Sequence, residues 1–108
     1  MKRGDVILVR EPNSPASKPR PYVVVQRSSA LGTPAKVTGC PLTSALKGAA
    51  GQRPFVAPTP ANGLRLPSEV EVDWIYTHPI EYVGGVIGSV DEPTLDAIDS
   101  ALRRWLDL

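Results

Sequence analysis

Lys18-Pro19-Arg20-Pro21-Tyr22-Val23-Val24-Val25-Gln26 is the stretch on which the fold turns. Tyr22 to Val25 is too short for a helix and too apolar for a loop. It reads as a buried strand entered through a proline, with Arg20 at its mouth. A second run, Gly39-Cys40-Pro41-Leu42-Thr43-Ser44, is apolar until it stops at a pair of hydroxyls. Laid side by side, the two runs bring Arg20 and Thr43 to the same rim. A cation and a hydroxyl facing one small space suit an anion, phosphate before others.

Working outward, Gly4-Asp5-Val6-Ile7-Leu8-Val9 is another short β-branched run and reads as the first strand. Glu11 to Pro19 holds Pro12, Pro15 and Pro19, which no ladder or helix tolerates, so it reads as an extended, exposed loop. Arg27 to Ala35 is a second polar loop. Lys36 to Thr43 is the third strand, in which Pro41 suggests an edge position or a bulge. Ala45 to Gln52 reads as a turn, and Arg53-Pro54-Phe55-Val56-Ala57 as a short fourth strand. Asn62-Gly63 signals a tight turn. Glu69 to Tyr76 alternates charge and apolar bulk, which predicts a half-buried strand with Val70, Val72, Trp74 and Tyr76 inward. Val83 to Ser89 closes the β portion, and His78 beside Pro79 reads as loop. Asp91-Glu92-Pro93 then opens a helix: aspartate caps well and proline is tolerated in the first turn. Leu95, Ile98, Leu102, Trp105 and Leu106 form its apolar stripe, for core or dimer packing, with Trp105 as a packing anchor. The sum is a mainly β single domain over residues 1–108, a small antiparallel barrel with a C-terminal α-helix.

A chain of 108 residues buries about two-thirds of its unfolded surface, enough for one modest core. It shows neither a secretory leader nor an apolar run near the roughly 18 residues a membrane span needs. A lone cysteine, Cys40, excludes an internal disulfide framework and fits a reducing cytoplasm. Cys40, His78 and the scattered carboxylates lack metal-ligand spacing, so neither a metal nor another cofactor is expected. The net charge of +1 hides a polarity: residues 1–66 carry ten basic side chains against Asp5 and Glu11, and residues 67–108 carry nine acids against Arg103 and Arg104. A basic half attracts a polyanion, unless folding mixes the two halves again.

Arg3-Gly4-Asp5-Val6, Arg20-Pro21 before the valines, Pro41-Leu42-Thr43-Ser44, Lys47-Gly48, Pro54-Phe55, Val72-Asp73 and the Asp-, Ala- and Leu-rich terminal helix form an ordered set. That set resembles the MazF/PemK toxins of bacterial type II toxin–antitoxin modules, from Lys2 to Leu108. The resemblance implies an SH3-like barrel acting as a homodimer. It implies an endoribonuclease that cleaves single-stranded RNA, often messenger RNA, at short sequences without a metal ion. It also implies a cognate antitoxin whose disordered, acidic C-terminal segment folds across the toxin. The family's catalytic arginine falls on Arg20, its threonine on Thr43, and an aspartate used by some members on Asp73. Members usually carry a Ser-Glu-Gln-Gly-Gly type run before the arginine. Here the loop reads Ser14-Pro15-Ala16-Ser17-Lys18-Pro19, which assigns no general base, and Glu11 is the nearest loop acid.

Such cleavage sends the substrate's own 2′-hydroxyl onto the adjacent phosphorus and leaves a 2′,3′-cyclic phosphate. A guanidinium fork matches the phosphorane oxygens and stays charged, and a threonine hydroxyl adds a donor. Lys18, Arg27, Lys36, Lys47 and Arg53 are candidates to track the RNA backbone, and Tyr22 or Tyr76 to stack on bases. The bland readings are a surface ion pair for Arg20, with Glu11 as its partner, and an ordinary strand-end hydroxyl for Thr43. Two other functions share the fold: a gyrase-binding poison like the CcdB toxins, faintly echoed by Trp105-Leu106-Asp107-Leu108, and an inactive binding module.

Overall fold

The computed structural model describes residues 1–11, 18–32, 35–48 and 52–108. The loop residues Pro12 to Ser17, Thr33-Pro34 and Ala49 to Gly51, on which parts of three loop expectations rest, lie outside that set. Among the described residues, seven strands, β1 (Asp5–Val9), β2 (Arg20–Val24), β3 (Lys36–Thr43), β4 (Phe55–Val56), β5 (Ser68–Val70), β6 (Tyr76–Pro79) and β7 (Val83–Ser89), precede one α-helix, α1 (Glu92–Leu106). They form one antiparallel sheet in the order β4-β5-β3-β2-β1-β7, with β6 pairing a second stretch of β3. The sheet curls into the half-barrel expected from its short, turn-rich strands.

Side chains alternate across a strand, and here both faces are covered, which is why β1 and β2 are nearly continuous apolar runs. Val6, Val23, Cys40, Leu42, Val56, Val70 and Val72 form one core with Ile98 and Ala101 of α1. Ile7, Val9, Tyr22, Val24 and Val37 form a second core on the other face. β2 and β3 lie so close that a Cβ on Gly39 would stand 2.7 Å from the Val23 carbonyl oxygen, so only glycine fits there. Asp91 caps α1 as expected, its carboxylate accepting the Thr94 N–H at 2.9 Å.

Four expectations change. β3 is an interior strand, with β2 on one side and β5 and β6 on the other. Pro41 sits where it exchanges one partner for the next. Glu69 to Tyr76 is not one strand. Thr43 faces Glu69, and an unbroken ladder would set Gly39 opposite Asp73, yet Gly39 faces Tyr76, so three residues are looped out. A turn closed by the Trp74 N–H on the Glu71 carbonyl at 3.0 Å takes up the excess. Val70 and Val72 therefore stay inward, while Trp74 and Tyr76 are 51 % and 39 % exposed. His78 belongs to β6, not a loop, and is buried. In α1 the stripe packs on the core through Ile98 and Leu102, but the last turn runs past it and leaves Trp105 and Leu106 exposed on this chain, so Trp105 does not anchor this chain's core.

Candidate active site

β2 and β3 pair with Tyr22 opposite Pro41. The same register, carried two residues further, sets Arg20 opposite Thr43, and the period of two puts both on the face that carries Tyr22. Both side chains reach solvent there, Arg20 exposed and Thr43 half-buried. The oxygen of Thr43 accepts the Ala45 N–H at 3.1 Å. A hydroxyl that accepts in this way keeps its own proton for a further acceptor.

The acid that meets Arg20 is Glu71, not Glu11. Glu71 lies next to Glu69 on this face and shares its carboxylate, one oxygen 3.4 Å from Arg20 Nη2 and the other 3.4 Å from Arg53 Nη2. Arg53 in turn donates from Nε and Nη2 to the two oxygens of Asp73, at 3.1 and 2.9 Å. The hydrogen bonds from Arg53 hold the Asp73 carboxyl below the usual carboxylate range, and the same bonds raise Arg53. Asp73 is thus linked to Arg20 through Arg53 and Glu71. Glu69, buried opposite Thr43, accepts the N–H groups of Lys47 and Gly48 at 2.9 and 3.0 Å and ties down the loop that follows Thr43. Neither glutamate is visible as a site residue in the sequence, because each partner lies some twenty or more positions away.

Beyond Arg20 the same face becomes aromatic. Tyr22 is 1 % exposed, so it is core and not a base-stacking ring. Its hydroxyl donates to Glu11 Oε1 at 3.3 Å, and burial, assisted by that carboxylate, pushes the phenol up to about 12. His78 packs edge-on against Tyr22, with ring centroids 5.1 Å apart. Its Nε2 lies 3.9 Å from Glu11 Oε1 and has no hydrogen-bond partner among the described residues. Burial holds the imidazole below its ordinary value, against the pull of Glu11. Tyr76 and Trp74 continue the row, their rings 6.0 Å apart and 11° from parallel.

The basic candidates divide by position. Lys18 and Lys47 are exposed and flank Arg20 and Thr43 in the chain. Arg27 and Lys36 are exposed at the opposite end of the strands, about 23 Å along β3 from Thr43 at ~3.3 Å per residue. Arg53 is occupied by Asp73 and Glu71, with its side chain only 16 % exposed. It also lines, with Asp73, Val72, Ala101 and Trp105, a cavity of about 310 Å³. The charge polarity of the sequence is partly consumed by folding: Arg3 pairs with Asp99, Arg20 with Glu71 and Arg53 with Asp73, each joining the basic half to the acidic one. Among the described residues no group of three His, Cys, Asp or Glu side chains is placed to hold a metal ion, and no helix is long and apolar enough to cross a membrane.

Known proteins match this chain along its whole length. The probable endoribonuclease MazF of Mycolicibacterium smegmatis is 31 % identical over 108 residues, all of this chain and 98 % of that protein. The solved toxin MazF-mt6 of Mycobacterium tuberculosis superposes with a TM-score of 0.80 at 26 % identity, over 96 % of this chain and 97 % of the other. A mycobacterial endoribonuclease solved with its cognate antitoxin shares the fold, with a TM-score of 0.83 at 22 % identity over all of this chain and 96 % of that one. Residues 2–106 match the family described as the PemK-like, MazF-like toxin of type II toxin–antitoxin systems, and the chain belongs to that family.

Proposed function

We infer that this chain is the RNA-cleaving toxin of a type II toxin–antitoxin pair, a metal-independent endoribonuclease acting on single-stranded RNA in the cytoplasm. The observation that carries the reading is the β2–β3 register, Tyr22 opposite Pro41, which extended by two residues brings Arg20 and Thr43 to one rim, in a chain of this family. Its relatives add support, one named a probable endoribonuclease and another solved with its antitoxin.

Arg20 and Thr43 are the catalytic groups of this proposal. The 2′-hydroxyl of the substrate attacks the adjacent phosphorus, the P–O5′ bond breaks, and the products are a 2′,3′-cyclic phosphate and a 5′-hydroxyl. Arg20 neutralises the added negative charge on the phosphorane, and the free proton of Thr43 bonds an oxygen of the same group. The 2′ proton passes to Glu11, the loop carboxylate that also accepts the Tyr22 hydroxyl, and the departing 5′-oxygen takes a proton from water. Asp73 is a positioning residue, acting through Arg53 and Glu71 on Arg20. Lys18 and Lys47 contact phosphates beside the scissile one, while Arg27 and Lys36 contact a more distant part of the strand. The active form is a homodimer, and the chain is neutralised by an antitoxin bearing an acidic, disordered segment. The family match and the shared rim favour this reading over gyrase binding and over an inactive module.

Incubating the protein with a long RNA in EDTA tests the proposal. Discrete fragments ending in 2′,3′-cyclic phosphate and 5′-hydroxyl are expected. Intact RNA, or fragments that form only when a divalent metal is restored, would refute it.

A further inference from the structure

Trp74 and Tyr76 stand out as large aromatic side chains that the fold pushes outward. Their sequence pattern points inward, and the three-residue excess between β5 and β6 turns them to solvent, 51 % and 39 % exposed. They are not splayed apart. Their rings lie 11° from parallel with centroids 6.0 Å apart, a stack that holds both partly exposed rings in one orientation. Tyr76 is braced from below by buried Tyr22, edge-on at 6.4 Å, and by His78 at 5.8 Å. Trp74 is braced through its N–H on the Glu71 carbonyl, and the carboxylate of that same Glu71 meets Arg20. One short segment, Glu71 to Tyr76, therefore touches the guanidinium at one end and carries the aromatic surface at the other.

We propose that the Trp74–Tyr76 stack is a platform for an unpaired nucleobase adjoining the phosphate held at Arg20. The assignment rests on the nuclease reading above and extends it to the part of the substrate that Arg20 and Thr43 do not touch. A ligand meeting a cation and a bare ring face together must combine a negative charge with a flat aromatic group, which a nucleotide does. Exposed Lys18 and Lys47, which flank Arg20 and Thr43 in the chain, add to the attraction for its backbone. Every base has a π face, so the platform sets affinity and strand position, and reading the sequence falls to hydrogen-bonding groups elsewhere.

The test compares wild type with Trp74→Leu, Trp74→Phe and, as a control on the other exposed tryptophan, Trp105→Leu. The probe for binding is a fluorescent, mixed-sequence 2′-O-methyl oligoribonucleotide, which lacks the attacking hydroxyl. Cleavage of a long RNA, the melting temperature and the oligomeric state are followed in parallel. Stacking on an aromatic ring is worth enough that Trp74→Leu should bind the probe about 5- to 150-fold more weakly. Trp74→Phe should recover most of the affinity, Trp105→Leu should match wild type, and all four proteins should melt alike. Wild-type affinity in Trp74→Leu overturns the platform, as does a change in oligomeric state with binding unaltered, which would give this surface to a second copy of the chain. A wild type that neither binds the probe nor cuts RNA defeats the nuclease reading itself, a separate result.

Discussion

Replacing Arg20 with alanine separates catalysis from folding at one position. The side chain is 51 % exposed and, among the described residues, makes one ion pair, to Glu71 at 3.4 Å. An exposed ion pair of this kind is worth about 0–1 kcal/mol. Its loss does not strand a buried charge, because Glu71 keeps Arg53 at 3.4 Å on its other oxygen. For a domain near this size the melting temperature should fall by no more than about 4–8 °C. Removing a donor aimed at a charged transition state costs far more, about 100- to 1000-fold in rate, or about 2.7–4 kcal/mol of barrier. Single-turnover cleavage of a long RNA, with enzyme in excess and EDTA present, measures the second quantity, and thermal melting of the same preparation measures the first. Arg20→Lys keeps the charge but not the two-pronged geometry and should fall between alanine and wild type. If Arg20→Ala cleaves within about threefold of wild type, or if its lost activity follows its lost stability, the role given to this guanidinium is wrong.

Asp73→Asn tests a positioning role against a direct one: weakening the charged pair with Arg53 should lower stability by about 1–2 kcal/mol and the rate by less than about tenfold, with an unchanged pH–rate profile, whereas a lost general base would cost about 100- to 10,000-fold. His78, held below its ordinary 6.5 by burial, takes up its proton less readily folded than unfolded, so stability is full above that value and falls as the pH drops through it. The melting temperature should therefore decline from pH 7 towards pH 5.5, and Trp-monitored melts of His78→Phe should show a flatter profile over about that range. Ile98→Ala, which empties the fully buried centre of the helix–sheet core, should cost about 2–5 kcal/mol by denaturant unfolding.

β1, β2, β3, β7 and α1 were legible in the sequence because each depends on its own run of residues: β-branched stretches for the strands, a capping aspartate and a 3.6-residue stripe for the helix. The break between β5 and β6 was not. The apolar phase continues through Val70, Val72, Trp74 and Tyr76, and only the change of register against β3 reveals three surplus residues between Val70 and Tyr76. A shared rim for Arg20 and Thr43 is an expectation of the sequence, since one opens an apolar run and the other closes its natural neighbour, and the pairing of Tyr22 with Pro41 is in keeping with it. Their support could not. Glu71 reaches Arg20 across 51 positions, and Glu69 reaches Lys47 across 22, so no local pattern announces either contact.

The bonds between the two halves also bear on how such a protein is made. Arg3 reaches Asp99, β1 takes its outer neighbour from β7, and Arg20 finds its carboxylate in residue 71. Synthesis delivers the amino-terminal strands first. A ribosome part-way through this message therefore carries Arg20 and Thr43 without the acid, the closing strand or the helix that fix them. The cell that makes it meets a finished cutting surface only once the codons for β7 and α1 have been read.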